Sequence, residues 1–463
     1  MTDTLSVHAP WDGRLLDTLP VSSEAAVEAA FATAHALFRD RRRWLPKVER
    51  VAILRRAASI ARGRREALAL QVASESGKPL RDALIEIDRG IDGIELCVET
   101  LRAEGGHVIP MDLNATSAGR VAFTQMEPIG VVLGLAAFNH PFNLVIHQVA
   151  PAVAAGAPVI VKPSPKTPLS CRAVVEIFHE AGMPSGWVQM ALPLDLGVIG
   201  RMVSDPRVGF LSFIGSAAVG WKLRSMLAPG ARCALEHGGV APVIVAGDAD
   251  LGQAIPRLGR AGFWHAGQAC VSVQRIFCAR DILDDLAAGL SGVADRMVIG
   301  DPTRPETEVG PIITHAEADR IASWVEASGA TVATGGKRLS PSTYANTVLV
   351  NPDPMADVSR REVFGPVVCL YPYDDIDAAI ALANDLPFSF QAAVFSRNID
   401  TAMHCFRHLD GTAVMVNEHP LFRVDWMPFA GARQSGLGIG GIPHSIRDMQ
   451  TEKMMVWRSD ALN

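Results

Sequence analysis

A cysteine, a glutamate and an asparagine occupy positions from which their side chains could carry out covalent chemistry. Cys270 lies in "GQACVSVQRI", between a Gly-Gln turn and a β-rich run, and Glu236 ends the apolar run in "ALEHGG". Asn139 follows another apolar run, in "AAFNHPFN". A thiolate attacks carbonyl carbon, a partly desolvated carboxylate is a usable general base near neutral pH, and an amide N–H can stabilise an oxyanion. Together they predict a cysteine nucleophile with a base and an oxyanion donor.

Each of these residues also has a structural interpretation. Free cysteine is among the most buried residue types and packs as a small apolar side chain, which is what we expect of the other six cysteines. A glutamate at a domain edge can cap a helix or form an ion pair, and an asparagine before a proline turn is most often a turn residue. The three residues alone leave the choice open.

Two further strand ends carry groups suited to a nucleotide. In "SFIGSAAVG" a strand is predicted to end at Phe213 and a helix to begin near Ser216, with Gly215 permitting a tight turn. The N–H groups of such a helix start can face a phosphate, although glycines there are usually only turn formers. Lys162 ends the run in "VIVKPSPKTP", where its ammonium could bond ribose hydroxyls or simply lie at a loop mouth. The GxGxxG fingerprint is absent after an early strand.

The elements that position these residues alternate between strand and helix. From residue 130 to about 415, short apolar strands such as "GVVLGLAAF" and "VGFLSFIGS" alternate with helical stretches. This alternation indicates parallel sheets covered on both faces. We therefore predict an α/β fold: two doubly wound Rossmann-like α/β domains, with a boundary near Gly238-Gly239, plus a small β element. The first hundred residues are predicted to be helical and 113–127 to form an exposed hairpin. The tail "TEKMMVWRSD" is expected to pair with this hairpin or with another subunit.

Composition excludes several classes of function. The chain has 463 residues and a net charge of −6, which argues against nucleic acid or an anionic membrane as its main partner. No run of 18 apolar residues predicts a membrane span, and the first twenty residues lack a signal-peptide pattern. The seven scattered cysteines contain no CxxC pair, so neither a disulfide framework nor a metal site is predicted. We expect a cytoplasmic protein.

Seven segments, in this order along the chain, resemble the signature motifs of the aldehyde dehydrogenase superfamily. The resemblance covers almost the whole chain. Within the superfamily, "FNHP", "FWHAGQAC", "SVQRI" and "HPLFRVDWMPF" are most similar to the branch that acts on short polar aldehydes and includes lactaldehyde and phosphonoacetaldehyde dehydrogenases. The seven segments are "EPIGVVLGLAAFNHPFN", "AGAPVIVKPSPKTPLS", "FIGSAAVG", "LEHGG", "GQACVSVQRI", "REVFGPVV" and "MPFAGARQSGLG".

The resemblance implies a reaction and a role for each of the three chemical groups. Cys270 attacks the aldehyde as a thiolate, and the Asn139 amide with the Cys270 backbone N–H stabilises the oxyanion. Hydride passes to a nicotinamide and leaves a thioester. Glu236 then activates the water that releases a carboxylic acid. Two alternatives stay open: a CoA-acylating relative, against which Glu236 argues, and a silent structural or binding protein, against which all three residues together argue.

The resemblance also implies a cofactor, NAD or NADP, and a domain plan. Residues 1–112 and 128–238 would form the NAD(P)-binding domain, and 239–439 the catalytic domain. Residues 113–127 and 440–463 would form an oligomerisation element, giving a homodimer or homotetramer. The implied cofactor-binding residues are Phe138, Lys162, Ser164, Gly215, Ser216, Glu362 and Phe364.

The sequence departs from the family pattern at four positions. Pro165 stands where the family often has a glutamate that repels a 2′-phosphate, and Lys166 adds a positive charge, so NADP becomes permissible and the choice stays open. His237 replaces a usually apolar residue, where we expect it to fill space. Ala430 replaces a glycine.

Two polar residues are candidates for contact with the substrate, His140 and Arg423. An arginine fork suits carboxylate, phosphonate or sulfonate groups. The alternative is a structural ion pair for Arg423. Ala269, just before Cys270, contributes no cation, which argues against a strongly anionic substrate.

Overall fold

The computed structural model describes residues 3–462. The helices are α1 (Glu24–Arg39), α2 (Lys47–Gly63), α3 (Arg65–Ser76), α4 (Leu80–Ala103), α5 (Asn143–Ala155), α6 (Pro168–Glu180), α7 (Leu196–Ser204), α8 (Ala217–Arg224), α9 (Leu251–Phe263), α10 (Leu283–Arg296), α11 (His315–Glu326), α12 (Asp357–Arg360), α13 (Ile376–Asn384), α14 (Ile399–His408) and α15 (Ile442–Asp448). Short 3-10 helices lie at Arg41–Arg43, Trp264–Gly267, Arg280–Ile282 and Asp460–Leu462.

The strands form three larger sheets and two small pairs, β1 with β2 and β15 with β18. They are β1 (Thr4–His8), β2 (Leu15–Pro20), β3 (Val108–Ile109), β4 (Arg120–Pro128), β5 (Val131–Leu135), β6 (Val159–Lys162), β7 (Val188–Met190), β8 (Val208–Ile214), β9 (Arg232–Glu236), β10 (Val243–Val245), β11 (Arg275–Ala279), β12 (Thr331–Thr334), β13 (Thr347–Val350), β14 (Val367–Tyr373), β15 (Phe388–Ser389), β16 (Gln391–Phe395), β17 (Ala413–Val416), β18 (Ala432–Arg433), β19 (Gly436–Leu437) and β20 (Gln450–Arg458).

The first large sheet has the order β19-β9-β8-β5-β6-β7 and is parallel except at β19. Its strands β5 and β6 are almost wholly apolar and buried, because helices pack on both faces of a parallel sheet. The core joins Val132 and Val159 to Leu54, Ile87 and Val149 on helices α2, α4 and α5.

The second large sheet has the order β12-β13-β14-β11-β10-β16-β17 and is parallel except at β12. Its core includes Ile276 and Leu370 on central strands, with Leu258 and Leu290 from α9 and α10. The predicted pair of doubly wound α/β units is confirmed. Because the carboxyl ends of parallel strands are where such folds bind ligands, the residues of interest at β5, β6, β8 and β9 fall at one edge.

The third sheet is antiparallel, in the order β20-β4-β3. The tail strand β20 pairs with β4 along its whole length, from Gln450 opposite Pro128 to Arg458 opposite Arg120, so the predicted pairing of the tail is confirmed. One difference from the predicted boundaries is that β3 lies before residue 113. Another is that β19, inside 239–439, joins the first sheet.

The prediction that the first hundred residues are helical is wrong for residues 4–20, where β1 and β2 form a hairpin. Val7 and Leu19 on this hairpin are buried against Leu169 and Leu192. Such short strands gain their stability from packing that is distant in sequence, so the helical period of the following residues does not extend to them. Within residues 3–462 no helix is both long and apolar enough to cross a membrane.

Candidate active site

The loop that carries Cys270 follows a left-handed turn at the end of α9. His265 and Ala266 have φ values of 49° and 53°, and Gly267 has 70°. Two consecutive non-glycine residues in this region cost roughly 1–2 kcal/mol each, so the surrounding structure must hold them there. At Gly267 a Cβ atom would lie 2.0 Å from the Gly365 carbonyl oxygen, which requires glycine. The turn redirects the chain from the helix to the nucleophile.

Gln268 braces this loop with its side chain and orients Asn139 with its backbone. Its Nε2 donates to the carbonyls of His265 and Pro311 at 3.2 and 3.1 Å, and its Oε1 accepts from the Ile313 N–H at 2.9 Å. The carbonyl of Gln268 accepts a hydrogen bond from Asn139 Nδ2 at 2.9 Å. That is the one hydrogen bond of this nitrogen among the described residues, so its second N–H can serve an oxyanion.

The thiol of Cys270 is half-buried and packs near Phe390 and Phe429. Burial raises its pKa to about 12, and the Arg423 guanidinium opposes this shift. Glu236 and Glu362 are also near enough for their charges to act on the thiol. Of the charged groups that act on this thiol, Arg423 is the one that favours the thiolate, and burial outweighs its effect.

Glu236 ends β9 between two strands that fix its backbone. It pairs with Ile214 on β8 and with Gly436 on β19. Its half-buried carboxylate lies against Gly440, where a Cβ atom would be 2.4 Å from Oε1. The carboxylate thus occupies space that only a glycine leaves open.

Arg423 is a buried cation whose nearest carboxylate, Asp425, is hydrogen-bonded by other residues. Asp425 accepts two hydrogen bonds from Arg89 at 2.6 and 2.9 Å and lies 2.9 Å from His147 Nε2. Burial alone would raise the pKa of Asp425, but the His147 and Arg89 partners hold it well below its usual range. Arg423 Nε is 3.7 Å from Asp425, and its guanidinium carbon lies 3.6 Å from the Phe429 ring centre. The side chain is 10% exposed, and within residues 3–462 its Nε and Nη2 have no hydrogen-bond partner.

Glu362 lies against Gly238 and has an unsatisfied oxygen. Burial raises its pKa to about 8, and in the described chain its buried Oε1 has no hydrogen-bond partner. A Cβ atom on Gly238 would lie 1.7 Å from this oxygen. Nearby, the rings of Phe138 and Phe364 meet edge to face with centres 5.8 Å apart. A carboxyl oxygen that lacks a hydrogen-bond donor can accept one from a sugar hydroxyl. The neighbouring pair of aromatic rings can pack against a flat ring.

The other predicted cofactor residues lie at the carboxyl ends of β6 and β8. Lys162 Nζ donates to the Pro163 carbonyl at 3.1 Å, and Ser164 Oγ accepts from the Lys166 N–H at 3.2 Å. Ser216 precedes α8, and in the part of the chain described its hydroxyl makes no cap hydrogen bond. The N–H of Gly215 is already bonded to the Glu236 carbonyl at 3.0 Å. Gly215 therefore supplies the turn, and the helix start beyond it leaves backbone N–H groups of the kind that can face a phosphate.

His237 packs as a space-filling ring beneath α8. Its ring meets Phe213 and Trp221 edge to face, with centres 5.7 and 5.9 Å apart, and its Nδ1 lies 2.9 Å from the Gly215 carbonyl. A Cβ atom on Gly220 would lie 1.9 Å from this ring.

The carbonyl of Ala430 accepts a hydrogen bond from the Thr412 hydroxyl.

His140 has neighbours that the sequence did not indicate. It lies beside the buried Lys78 and Glu86, and its ring stacks on Trp264. The brace formed by Gln268 and the Arg89–Asp425 pair also escaped prediction, because their partners are distant in sequence. The sequence offered one signal for this region: Arg423 and Asp425 lie two residues apart, a spacing that allows an ion pair. No group of three His, Cys, Asp or Glu side chains in residues 3–462 is arranged to hold a metal ion.

Comparison with known proteins places this arrangement in a family. The sequence matches the profile of the aldehyde dehydrogenase family over residues 1–455. It is 35% identical to a 3-sulfolactaldehyde dehydrogenase of Priestia aryabhattai over 88% of this chain and 86% of that protein. Its fold is similar to that of aldehyde dehydrogenase 21 from Physcomitrella patens in complex with the reaction product succinate (TM-score 0.94, 31% identity, 99% of this chain and 95% of that one).

A second solved structure, glyceraldehyde-3-phosphate dehydrogenase GapN from Methanocaldococcus jannaschii complexed with NADP, matches at a TM-score of 0.94 and 30% identity, over 99% of this chain and 100% of that one. The match to the family profile covers nearly every residue, including all the strand ends described above. The chain belongs to the aldehyde dehydrogenase family.

Proposed function

We propose that this chain oxidises a short polar aldehyde to its carboxylic acid, with NAD or NADP as the acceptor. The observation that carries the proposal is the bond of the Asn139 amide to the Gln268 carbonyl, two residues before Cys270. It holds an oxyanion donor beside a thiol on which the charges of Glu236 and Arg423 act. Family membership supports the same reaction.

In the proposed mechanism, Cys270 acts as the nucleophile with Arg423 stabilising its thiolate. Attack on the aldehyde carbon forms a thiohemiacetal, whose oxyanion accepts hydrogen bonds from Asn139 and the Cys270 backbone N–H. The nicotinamide ring of a bound cofactor would accept the hydride. Glu236 then takes a proton from the water that attacks the thioester carbonyl, and the acid leaves as the thiol is restored.

We assign the cofactor contacts from the positions of the residues at the sheet edges. Glu362 would hold the nicotinamide ribose, with Phe364 and Phe138 against the ring. Lys162 and Ser164 would contact the adenosine ribose, and the Gly215–Ser216 turn the pyrophosphate. Pro165 and Lys166 are exposed beside this ribose site, and the absence of a carboxylate there supports use of NADP as well as NAD.

Direct assay tests this function. The purified protein, mixed with short aldehydes and either NAD or NADP, is expected to raise the absorbance of NAD(P)H. The aldehydes should include lactaldehyde, propanal and succinic semialdehyde, which differ in their polar groups. If none is oxidised with either cofactor while the folded protein binds NAD(P)H, the proposal is wrong.

We further propose that the substrate carries an acidic group that Arg423 binds. Two unpaired N–H positions on a nearly buried guanidinium are a strong site for a carboxylate, sulfonate or phosphate. The alternative of a structural ion pair is weakened because Arg89 and His147 already occupy Asp425. Of the three compared proteins, one is named for a sulfonated aldehyde, one was solved with the product succinate, and one is named for an aldehyde that bears a phosphate. These names support an acidic group on the substrate.

Arg423→Met is expected to lower kcat/KM for succinic semialdehyde relative to lactaldehyde by roughly 10- to 100-fold, the value of lost charge-assisted hydrogen bonds. Oxidation of both substrates should also slow, because the thiol loses the Arg423 charge. The ratio of the two kcat/KM values is therefore the readout. Arg280→Met, which removes an exposed arginine paired with Asp374, is the matched control. An unchanged ratio in Arg423→Met would assign Arg423 to the thiol alone.

The domain plan and the assembly are proposals of the same kind. We propose the cofactor-binding, catalytic and oligomerisation regions at the boundaries given above. The exposed apolar side chains on β20, which include Met454, Val456 and Trp457 at 55%, 48% and 63% exposure, support burial against another subunit in a homodimer or homotetramer. The seven free cysteines support a reducing compartment, the cytoplasm.

A further inference from the structure

A buried ion pair lies behind His140, and the mechanism above does not use it. Lys78, between α3 and α4, is fully buried and forms a salt bridge with Glu86 of α4. Its Nζ lies 3.0 Å from His140 Nδ1, and the His140 ring stacks on Trp264 with centres 5.3 Å apart. Burying both charges is expensive, and a pair of this kind need not add stability. Its contact with a ring beside Asn139 suggests a different role.

The ammonium fixes which nitrogen of His140 carries the proton. A lysine ammonium only donates hydrogen bonds, so the Nδ1 that faces it must be an acceptor, and the proton of the neutral ring must sit on Nε2. Burial, together with the charge of Lys78, lowers the pKa of His140 well below its usual value, which keeps the ring neutral. His140 is therefore held in one tautomer.

Glu86 keeps the ammonium in place. Its Oε1 accepts the backbone N–H groups of Phe142 and Asn143 at 2.9 and 3.0 Å, at the start of α5. Its Oε2 accepts from Lys78 and lies 3.7 Å from His140 Nδ1. Burial lowers the pKa of Lys78, and the Glu86 carboxylate opposes that shift. Both oxygens of Glu86 are thus engaged by donors.

The other ring nitrogen of His140 is left free to donate. Nε2 has no hydrogen-bond partner among residues 3–462, yet it is not one of the enclosed unsatisfied atoms, and the side chain is 14% exposed. Besides Lys78, the charged and titratable groups that act on the ring are Arg89 of α4, His265 of the left-handed turn, and Arg423. Because His140 follows Asn139 and the Arg423 charge reaches its ring, its free Nε2–H lies in the neighbourhood of the proposed substrate site.

We infer that Lys78 and Glu86 are positioning residues that fix His140 as an Nε2–H donor to an oxygen near the reacting carbon of the substrate. The inference rests on the proposed function and adds to it a basis for selecting oxygen-bearing aldehydes. A site built to bond a substrate oxygen rejects the analogue that lacks it, because the donor is then left unpaired.

The test compares lactaldehyde with 2-methylpropanal, in which a methyl group replaces the hydroxyl. In the parent protein the ratio of their kcat/KM values should favour lactaldehyde equally from pH 6 to pH 9, since titration of other groups affects both substrates alike. In Lys78→Met, Glu86 remains beside Nδ1 and draws the proton there, so Nε2 becomes an acceptor. The ratio should fall roughly 10-fold at pH 8–9 and recover towards pH 6, where the ring gains its second proton.

Lys78→Met/Glu86→Gln is the rescue variant. Its glutamine oxygen can still accept the α5 N–H groups, while its amide N–H can replace the ammonium at Nδ1, so we expect most of the ratio to return and the pH dependence to vanish. A Lys78→Met ratio equal to that of the parent at every pH, or no recovery in the double variant, would overturn the inference.

His140→Phe keeps the test decisive if the Lys78 variants do not fold, as judged by Tm and circular dichroism. It should lose the preference for lactaldehyde at every pH, with no recovery in acid, and an unchanged preference would contradict the donor role. Oxidation of 2-methylpropanal by the parent reports separately on the proposed function. If the parent oxidises neither aldehyde nor any other, the proposed function fails and the inference with it.

Discussion

Cys270→Ala is expected to abolish aldehyde oxidation, with kcat falling by about 10,000-fold or more. Alanine removes the sulfur that forms the bond to the substrate carbon, and no other described cysteine shares its surroundings of Asn139, Arg423 and Glu236. The packing loss is small because the side chain is only half-buried. Steady-state formation of NAD(P)H with the best aldehyde of the panel measures the effect.

Cys233→Ala is the matched control for this variant. Cys233 is also a half-buried free thiol, but it lies on β9 near Arg224, and burial raises its pKa as it does that of Cys270. Its replacement should leave kcat within a few-fold of the parent value. Parent-level turnover in Cys270→Ala, with folding and NAD(P)H binding preserved, would exclude Cys270 as the nucleophile.

Glu236→Gln is expected to separate the two halves of the reaction. Glutamine keeps the shape of the side chain but cannot take a proton from water, so thioester hydrolysis should slow by roughly 100- to 10,000-fold. The first half-reaction consumes no water, so we expect the first turnover to proceed without the base that activates water. Rapid mixing should then show a burst of about one NAD(P)H per site, followed by a slow steady state.

Mass spectrometry gives a second reading of the same variant. The acyl group of the substrate should remain on Cys270 in Glu236→Gln and be absent from the parent. Unchanged turnover in Glu236→Gln, together with a parent rate that rises when free CoA is added, would instead favour the acyl-transferring alternative. Loss of the burst as well as the steady state would place Glu236 in the first half-reaction.

Local patterns in the sequence predict the sheet edges and most of the site. Asn139, Lys162 and Glu236 each follow a short apolar run, and these runs become parallel strands whose carboxyl ends meet at one edge, with β5 and β6 almost wholly buried. The turn at Gly215 is a local backbone preference, and α8 begins at Ala217, beside the predicted start near Ser216. Pro168 occupies the first position of α6, where its fixed φ suits a helix start.

The rest of the site depends on contacts that leave no local pattern. Lys78 and Glu86 lie in a region of regular helical periodicity, where charged residues are expected on the solvated face, yet both are buried. Gln268 contacts Pro311 and Ile313 from a distant loop. Tertiary packing decides these positions, and it also turns residues 4–20 into a hairpin.

The pairing of β19 with β9 and of β20 with β4 has a consequence for the order in which the protein becomes functional. Glu236 gains its second strand neighbour from Gly436, and the β4 edge is covered by residues 450–458. Most of the chain separates the partners in the β4–β20 pair, and such non-local pairing is slow to form. During synthesis, a ribosome-bound chain that ends before residue 436 lacks β19, the strand beside Glu236. It also lacks β20, the strand that pairs with β4. Under the proposed mechanism and assembly, hydrolytic competence and the surface for association would therefore be acquired together, late in translation.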